Sequence, residues 1–370
     1  MKIPLAKPIF DDEMKDAALD ALQNERFVLG ESVFKFEEEF ARYCGAKHAV
    51  STSSGTCALQ FSLLALGVRP GNHIITTPFS FIATANAALH VGATPVFSDV
   101  EMETCNIDPR LVRGEMTGKV QVVIPVHLYG FPADMDPILE ASRENGVAVV
   151  EDACQAHGAE YFGRKVGGIG DVGCFSFYPS KNMTVCGDGG MVVTNDEDLA
   201  KKVAKLRDCG RSSHYEHDVV GFTSRLNTVN AAIGRVQLRR LDAWNRKRRE
   251  HAELYSRLLS VVDGIVLPRK ASSDILPVYH LYVIRTGSRD QLKAWLEANG
   301  VQCGVHYPVP IHLQPVYKRM FGYAEGDFPN SEMLSRTVLS LPMFPDLKHE
   351  EVGYVCEKIS EFYAHEIARA

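Results

Sequence analysis

The sequence predicts an α/β protein with two parts: a large domain whose mainly parallel sheet is covered by helices, and a smaller C-terminal α+β domain. Three observations lead to this prediction. The chain has 370 residues, more than the roughly 250 to 300 at which one hydrophobic core stops growing. Between about residues 45 and 195, short β-branched segments alternate with helical ones, which is typical of parallel strands joined by helices. Beyond residue 245 the pattern changes to a compact mixture of strands and helices.

The large domain, residues 1–245, is predicted to begin with an N-terminal arm at residues 1–30. Its buried strands are expected at residues 73–76, 95–98, 120–125, 147–151, 174–177 and 191–194. Its helices are expected at residues 56–66, 81–91, 199–206 and 228–248. The first of these helices has apolar side chains at positions 59, 63 and 66, the spacing of one helix face. The last is long enough to lead out of the domain.

The small domain, residues 246–370, is predicted from strand-like alternation at 280–284 and a helix at 289–299. A proline-rich segment, YPVPIHLQP, follows this helix. No internal repeat or low-complexity segment interrupts the chain, so we expect one large unit followed by one small unit.

Composition and charge exclude several classes of protein. The chain is 45% hydrophobic and 23% charged, with a net charge of −6 and an isoelectric point near 6.1. These values indicate a folded protein without a general attraction to nucleic acid or anionic membranes. The N-terminal segment MKIPLAKPIFDDEMKD has no apolar signal region, and no apolar run approaches the roughly 20 residues that span a bilayer. We therefore expect neither nucleic acid nor membrane as a partner.

The nine cysteines are scattered along the chain and contain no C-x-x-C pair. Such a distribution argues against a disulfide framework and against a zinc site. Reduced thiols are instead typical of a cytoplasmic protein, and we expect that location and no bound metal.

Three sequence segments that follow predicted strands contain residues suited to chemistry, because ligands of open parallel sheets bind beyond the carboxyl ends of the strands. In the first segment, Ser51-Thr-Ser-Ser-Gly-Thr56 precedes a helix. Small residues at a helix N-terminus offer free backbone N–H groups and a favourable dipole to a phosphate. Taken alone, the same residues also fit simple N-capping of the helix by a hydroxyl side chain.

The second and third segments supply a carboxylate and an amine. Glu151 and Asp152 end a buried strand, where a carboxylate can pair with a cationic ring nitrogen or, equally, cap a turn. Lys181 follows the strand-like sequence CFSF. A lysine just beyond a buried strand has a pKa that can fall far enough for its amine to become a nucleophile, although most lysines are simply solvated.

The three segments together describe a site for pyridoxal phosphate. The helix N-terminus would hold the phosphate, Asp152 would face the pyridine nitrogen and Lys181 would form the Schiff base with the aldehyde. By contrast, Gly168-Ile-Gly-Asp-Val-Gly173 fits the dinucleotide-binding pattern but precedes a strand and opens no helix. The dinucleotide mechanism needs the order strand, turn, helix, so we expect no such site there.

The chain also resembles a known family, the DegT/DnrJ/StrS group of nucleotide-sugar aminotransferases, over nearly its whole length. The likeness includes Gly30 and is carried by these segments in order: FEEEFARYCGAKHAV, SSGTCAL, TTPFSFIATANAALHVGATPVFSDV, PVHLYGFPADMD, EDACQAHGAEYFGRKVG, SFYPSKNMTVCGDGGMVVTNDEDLA and SRLNTVNAAIGRVQL. The resemblance implies the aspartate aminotransferase type of fold, which is fold type I of the pyridoxal phosphate enzymes.

The resemblance also implies a role for individual residues. It makes Lys181 the Schiff-base lysine and Asp152 the partner of the pyridine nitrogen. The other cofactor contacts that it implies are Gly55, Thr56 and Ser176 on the phosphate, Phe81 stacked on the ring and Gln155 near the ring hydroxyl. Asn227 matches a residue that reaches the cofactor phosphate of the neighbouring subunit, so a homodimer with shared active sites is implied. Tyr178, His306 and Tyr307 are weaker candidates for the sugar pocket.

The reaction implied by the resemblance moves an amino group from L-glutamate to a keto group on a nucleotide-linked deoxysugar. Two alternatives stay open: a pyridoxal phosphate-dependent sugar dehydratase, in which a histidine would replace Lys181, and a non-catalytic regulator that binds the cofactor or a sugar nucleotide. The sequence leaves three further choices open: C3 or C4 as the position of the new amine, its stereochemistry, and the nucleotide carried by the sugar.

Overall fold

A seven-stranded sheet forms the centre of the computed structural model, which describes residues 1–367. In chain order the strands are β1 (His48–Thr52), β2 (His73–Thr76), β3 (Thr94–Phe97), β4 (Val120–Val123), β5 (Ala148–Asp152), β6 (Glu160–Tyr161), β7 (Arg164–Lys165), β8 (Val172–Ser176), β9 (Gly190–Thr194), β10 (Ile275–Leu276), β11 (Tyr282–Arg285) and β12 (Val338–Leu341). The large sheet has the order β1-β9-β8-β5-β4-β2-β3. Strand β9 is antiparallel to both neighbours, and the other pairs are parallel. The predicted mainly parallel sheet is therefore confirmed.

Helices cover this sheet and build the C-terminal part of the chain. They are α1 (Asp12–Asn24), α2 (Glu31–Cys44), α3 (Gly55–Ala65), α4 (Ala83–His90), α5 (Pro109–Glu115), α6 (Met135–Asn145), α7 (Glu197–Arg207), α8 (Thr228–Leu259), α9 (Arg289–Ala298), α10 (Pro315–Phe321), α11 (Pro329–Thr337) and α12 (His349–Ile367). No helix within residues 1–367 is both long enough and apolar enough to cross a membrane.

The elements predicted from the sequence are present with small shifts at their ends. Each of the six predicted strands of the large domain overlaps an observed strand, and the helices expected at 56–66, 81–91 and 199–206 correspond to α3, α4 and α7. Helix α8 continues to Leu259, well past the predicted end at 248, because its buried face extends through His251, Ala252 and Tyr255. Strand β11 begins at Tyr282, so His280 lies in the loop before it instead of in the predicted strand.

Two hydrophobic clusters cover opposite faces of the large sheet, and a third lies in the C-terminal part. The third cluster includes Tyr255 and Leu259 from the second half of α8, together with residues of β11, β12, α9 and α12. The first half of α8 packs on α1 and α2. Helix α8 runs unbroken across residue 245 and so connects the two predicted domains. The division of the chain at 245/246 stays a prediction.

The N-terminal arm reaches across the molecule to the C-terminal part. The backbone N–H of Ile3 donates to the carbonyl of Gly300 at 2.9 Å, and the carbonyl of Leu5 accepts from the N–H of Met343 at 3.0 Å. Ile3 also belongs to the C-terminal hydrophobic cluster. The first residues of the chain are thereby fixed beside the mouth of the cavity described below.

Candidate active site

A cavity of about 520 Å³ lies beyond the ends of β1, β5 and β8 and is closed on its other side by residues 280–307. Of the eleven candidate residues predicted from the sequence, ten line this cavity: Gly55, Thr56, Phe81, Asp152, Gln155, Ser176, Tyr178, Lys181, His306 and Tyr307. The parallel arrangement of β5 and β8 explains why residues distant in sequence meet here, since the carboxyl ends of parallel strands share one edge of the sheet.

The N-terminus of α3 forms a cradle on the floor of the cavity. The hydroxyl of Ser54 accepts a hydrogen bond from the N–H of Cys57 at 3.2 Å, so it caps the helix as the N-capping reading predicted. The N–H groups of Gly55 and Thr56 belong to the first turn and have no acceptor within the helix. A Cβ added to Gly55 would lie 2.8 Å from both Cys154 Sγ and Ser176 Cβ. The cradle can therefore cap the helix and still offer two backbone donors to an anion.

Gly190 allows strand β9 to lie directly against the backbone of Ser54, the residue that caps the cradle. It begins β9, and a Cβ at this position would lie 2.3 Å from the carbonyl oxygen of Ser54. The glycine run after Lys181 thus returns the chain from the lysine loop to β9, and its last glycine provides the space that the Ser54 backbone occupies.

Asp152 is buried at the end of β5, and both of its carboxylate oxygens accept hydrogen bonds. Oδ1 accepts from the backbone N–H of Cys154 at 3.2 Å, and Oδ2 accepts from the hydroxyl of Thr84 at 2.7 Å. These bonds fix the plane of the carboxylate while the residue still lines the cavity. Asp152 therefore presents an oriented acceptor to any group bound there.

Lys181 lies in the turn after β8, where its backbone N–H donates to the carbonyl of Tyr178 at 2.8 Å. Its amine forms no hydrogen bond or ion pair with any residue from 1 to 367. Burial lowers the pKa of this amine, and the nearby Cys154 and Asp152 only partly oppose the shift. A buried amine without a fixed partner is available as a nucleophile or as a base.

Aromatic side chains form one wall of the cavity. Phe81 and Tyr178 are 55% and 56% exposed, so neither ring is buried in the hydrophobic core. The rings of Phe81 and Tyr307 lie 6.1 Å apart at an angle of 40°. Gln155 is held between two elements, because its Oε1 accepts from the N–H of Tyr129 at 2.8 Å and its Nε2 donates to the hydroxyl of Tyr307 at 3.1 Å.

Two histidines from the C-terminal part face the lysine. His306 Nδ1 is 2.9 Å from the hydroxyl of Ser340, and burial together with the charge of Lys181 lowers the pKa of His306 to about 4. Burial and the charges of Lys181 and Arg248 also lower the pKa of His280 well below its usual range. Both imidazoles are therefore neutral near pH 7 and add no second positive charge beside the amine.

Several residues that line the cavity were not among the candidates predicted from the sequence. They are Leu5, Ala6, Leu59, Ser80, Ala83, Thr84, Val126, Cys154, Ser180, Asp188, His280 and Leu281. A hydroxyl residue in the alanine-rich helix TANAA is a local signal that could have pointed to Thr84. Leu5 and Ala6 have no such signal, because only the tertiary fold brings them to this place.

Asn227, the eleventh candidate, lies outside the cavity. It is exposed at the N-terminus of α8, and its side chain makes no capping bond. With Ser53, Cys186, Arg225 and Asn230 it lines an adjoining groove of about 320 Å³. Asp188 lines both the cavity and this groove, so the two are neighbours on the surface.

The glycine-rich loop that fits the dinucleotide pattern surrounds a carboxylate of the chain itself. The N–H groups of Gly167, Ile169 and Gly170 donate to Glu151 at 2.7 Å each. His127 Nδ1 accepts from the N–H of Ala133 at 3.0 Å, so its other nitrogen carries the proton and donates to Glu151 at 3.0 Å. The loop therefore binds the carboxylate of Glu151 and holds the end of β5 in place, one residue before Asp152.

Comparison with known proteins gives a consistent result. A sequence model described as the DegT/DnrJ/EryC1/StrS aminotransferase family matches residues 8–360. A Geobacillus stearothermophilus protein named pleiotropic regulatory protein is 45% identical over 348 residues, which cover 94% of this chain and 93% of that protein. A Streptomyces venezuelae protein named dTDP-3-amino-3,4,6-trideoxy-α-D-glucose transaminase is 43% identical over 350 residues, covering 94% and 91% of the two chains.

A solved structure resembles the fold just as closely. The crystal structure of S. venezuelae DesV in complex with a ketimine intermediate superposes with a TM-score of 0.92 at 42% sequence identity. The superposition covers 95% of this chain and 94% of that one. The similarity therefore includes the large sheet, the C-terminal part and the cavity between them.

Proposed function

Because the chain belongs to the DegT/DnrJ/EryC1/StrS aminotransferase family, we propose that it transfers an amino group from L-glutamate to a keto group of a nucleotide-linked deoxysugar. The observation that carries this proposal is the unpaired amine of Lys181 inside a cavity that also contains an oriented carboxylate and a helix N-terminus. The S. venezuelae relative is named for a product with its amine on C3, which supports a 3-keto sugar as the acceptor.

The residues of the cavity fit pyridoxal phosphate. The two free N–H groups of Gly55 and Thr56 suit a phosphate dianion, and the tight contacts around Gly55 leave no room for a side chain that would block it. Asp152 suits a protonated ring nitrogen, and Phe81 offers an exposed aromatic face to a planar ring. When bound there, pyridoxal phosphate supplies a carbonyl carbon that condenses with amines and a ring that withdraws electrons from the reacting carbon.

In the proposed reaction the residues of the chain bind the substrates and move protons. The Nζ of Lys181 accepts the proton from the α-carbon of the amino donor and, in the second half-reaction, supplies a proton to the sugar carbon that receives the amine. The carboxylate of Asp152 holds a proton on the ring nitrogen during both halves. Because the imidazoles of His280 and His306 are neutral, neither adds a positive charge beside Lys181 when its amine takes up a proton.

Two observations distinguish this proposal from its rivals. A dehydratase of this family would carry a histidine where this chain has Lys181, so the lysine favours transamination. The name of the regulatory relative favours a non-catalytic binder, whereas a buried amine with a lowered pKa and no partner among the described residues favours a catalytic base.

The first test uses the amino donor alone. Addition of L-glutamate to the holoenzyme is expected to bleach the visible absorption of the bound cofactor and to release one 2-oxoglutarate per site. The aminated protein is then mixed with a panel of 3-keto and 4-keto sugar nucleotides, and the product is identified by NMR. An absorption spectrum that glutamate leaves unchanged would contradict the aminotransferase function and favour the non-catalytic binder.

We further propose that a second copy of the chain completes the active site. Large apolar side chains are exposed in the single chain, among them Tyr215 at 86% and Val220 at 90% exposure in the segment that precedes Asn227 in sequence. Val28 pairs with Asn227 through an isolated antiparallel bridge and is exposed as well, together with Phe27. Exposed apolar surfaces of this kind are typical of protein–protein interfaces. The groove beside the cavity gives Asn227 a position at the edge of such an interface.

Mixed dimers test whether Asn227 acts on the neighbouring site. Chains carrying Lys181→Ala and chains carrying Asn227→Ala are coexpressed with different tags, and the heterodimers are purified. If Asn227 acts across the interface, each heterodimer contains one intact site and should recover about half of the wild-type rate per dimer at subsaturating pyridoxal phosphate. Heterodimers no more active than the Asn227→Ala homodimer would contradict the shared site.

A further inference from the structure

Three buried side chains form a chain of hydrogen bonds that ends on Asp152. The hydroxyl of Thr84 donates to Asp152 Oδ2 at 2.7 Å, and the hydroxyl of Ser80 lies 3.0 Å from that of Thr84. All three residues are at least nine-tenths buried. Thr84 is the second residue of α4. A side chain from this helix therefore supports the carboxylate at the end of β5.

The direction of these bonds follows from the number of protons. A carboxylate only accepts hydrogen bonds, so Thr84 must give its single hydroxyl proton to Asp152. The bond between Ser80 and Thr84 must then use the proton of Ser80. The chain therefore runs from Ser80 to Thr84 to Asp152, with each donor polarised by the next.

Thr84 supplies one of the two hydrogen bonds that orient this carboxylate. The other comes from the backbone N–H of Cys154, at the longer distance of 3.2 Å, and it reaches the other oxygen. Without the Thr84 hydroxyl, Oδ2 would lose its hydroxyl donor, and the backbone bond to Oδ1 alone would allow the carboxylate to rotate more freely about its terminal bond. In metal sites, loss of a hydrogen-bond partner that orients a ligating side chain typically costs about tenfold to a hundredfold in affinity or activity, and we expect an effect of similar size here.

We propose that Thr84 is a positioning residue of the active site: its hydroxyl, supported by that of Ser80, holds the Asp152 carboxylate in the orientation that keeps a proton on the ring nitrogen of pyridoxal phosphate. The inference rests on the proposed function, because it assumes this cofactor in the cavity. It assigns a role to Thr84 and Ser80 beyond lining the cavity.

The test compares Thr84→Val, which keeps the branched shape and removes the donor, with Thr84→Ser, which keeps the donor. Each holoenzyme is reconstituted with pyridoxal phosphate labelled with ¹⁵N in the ring, and the ¹⁵N chemical shift is measured in the resting protein. In Thr84→Val the signal should move toward that of an unprotonated ring, and in Thr84→Ser it should stay near the wild-type position. The turnover number of Thr84→Val should fall about tenfold or more with little change in KM for glutamate.

A matched control is Thr76→Val. Thr76 is equally buried, and its hydroxyl donates to the carbonyl of Ile124 at 2.9 Å, away from Asp152. This variant should keep the wild-type ¹⁵N position, which separates the loss of a buried hydroxyl in general from the loss of this one. If Thr84→Val does not fold, Ser80→Ala is measured in its place and should move the signal in the same direction by a smaller amount.

The proposal is overturned if the ¹⁵N signal of Thr84→Val, or of Ser80→Ala as its substitute, stays at the wild-type position. It is also overturned if Thr84→Ser moves the signal as far as Thr84→Val, because the hydroxyl would then not be the cause. These spectra need neither glutamate nor a sugar. A wild-type protein without transaminase activity would contradict the proposed function, whereas the ¹⁵N comparison would still decide the role of Thr84.

Discussion

Replacement of Lys181 by alanine is expected to lower transamination by at least about a thousandfold and to leave the fold intact. The amine lies in the cavity without a hydrogen-bond partner among the described residues, where it can act as a base, and general base catalysis alone contributes about 10² to 10⁴ in rate. Its loss should be accompanied by loss of the covalent link to the cofactor. The rate is measured in single-turnover experiments with glutamate, and the link by borohydride reduction followed by mass spectrometry.

The fold should tolerate this change because the charged form of Lys181 makes no ion pair with a described residue that would stabilise the folded protein. Burial lowers the pKa of the amine, which means that the folded protein disfavours the charged form, so the thermal midpoint of Lys181→Ala should equal or exceed that of the wild type. Lys181→Arg should be as inactive as the alanine variant, since a guanidinium stays protonated and cannot act as a base. Lys201→Ala serves as a control, because Lys201 pairs with Glu197 on the exposed face of α7. Retention of more than a few per cent of the wild-type rate by Lys181→Ala would remove the lysine from its role.

Substitution of Asp152 by asparagine is expected to slow both half-reactions by about 10² to 10³. Asparagine has nearly the same shape, and its carbonyl oxygen can still accept the hydrogen bond of Thr84. It cannot, however, neutralise a protonated ring nitrogen, so the electron-withdrawing power of the ring would fall in both directions of the reaction. The fold should change little because the backbone bonds of Asp152 to Pro125 and His127, in the segment after β4, are kept.

Rapid-mixing measurements distinguish this effect from a weaker binding of substrates. The glutamate half-reaction and its reverse with 2-oxoglutarate are each followed at saturating substrate, where the rate of the chemical step is observed directly. Asp136→Asn is a suitable control, since Asp136 forms an exposed ion pair with Arg164 far from the cavity. A wild-type rate in either half-reaction of Asp152→Asn would contradict its assigned role.

The main features of the site could be predicted because they depend on local sequence and on one topological rule. A short strand followed by Gly55, by Asp152 or by Lys181 was visible in the sequence, and the parallel order of β5 and β8 brings two of these ends side by side. The sequence predicts a strand at residues 191–194, but not its place and direction in the sheet. It enters the sheet antiparallel between β1 and β8, and this is why a glycine is needed at position 190, against the backbone of Ser54.

Other parts of the site are not encoded by any local pattern. Thr84 looks like an ordinary helix residue until α4 is packed against the end of β5, and His280 looks like part of a strand until the C-terminal part closes over the lysine. Leu5 reaches the cavity only because the arm pairs with residues near 300 and 343. Each of these contacts joins residues far apart in sequence, where no periodicity or capping signal can report them.

The sequence by itself therefore determined the α/β class, and it predicted the strand ends at which the candidate site lies and the proposed central pair, Lys181 and Asp152. The reason is that periodicity, turn residues and strand composition act over a few residues and are present in the chain before it folds. The tertiary structure alone decided how the carboxylate of Asp152 is oriented, how far burial lowers the pKa of the Lys181 amine and where Asn227 lies. Those properties depend on burial and on hydrogen bonds between distant elements, which exist only once the sheet, α4 and the C-terminal part are packed together.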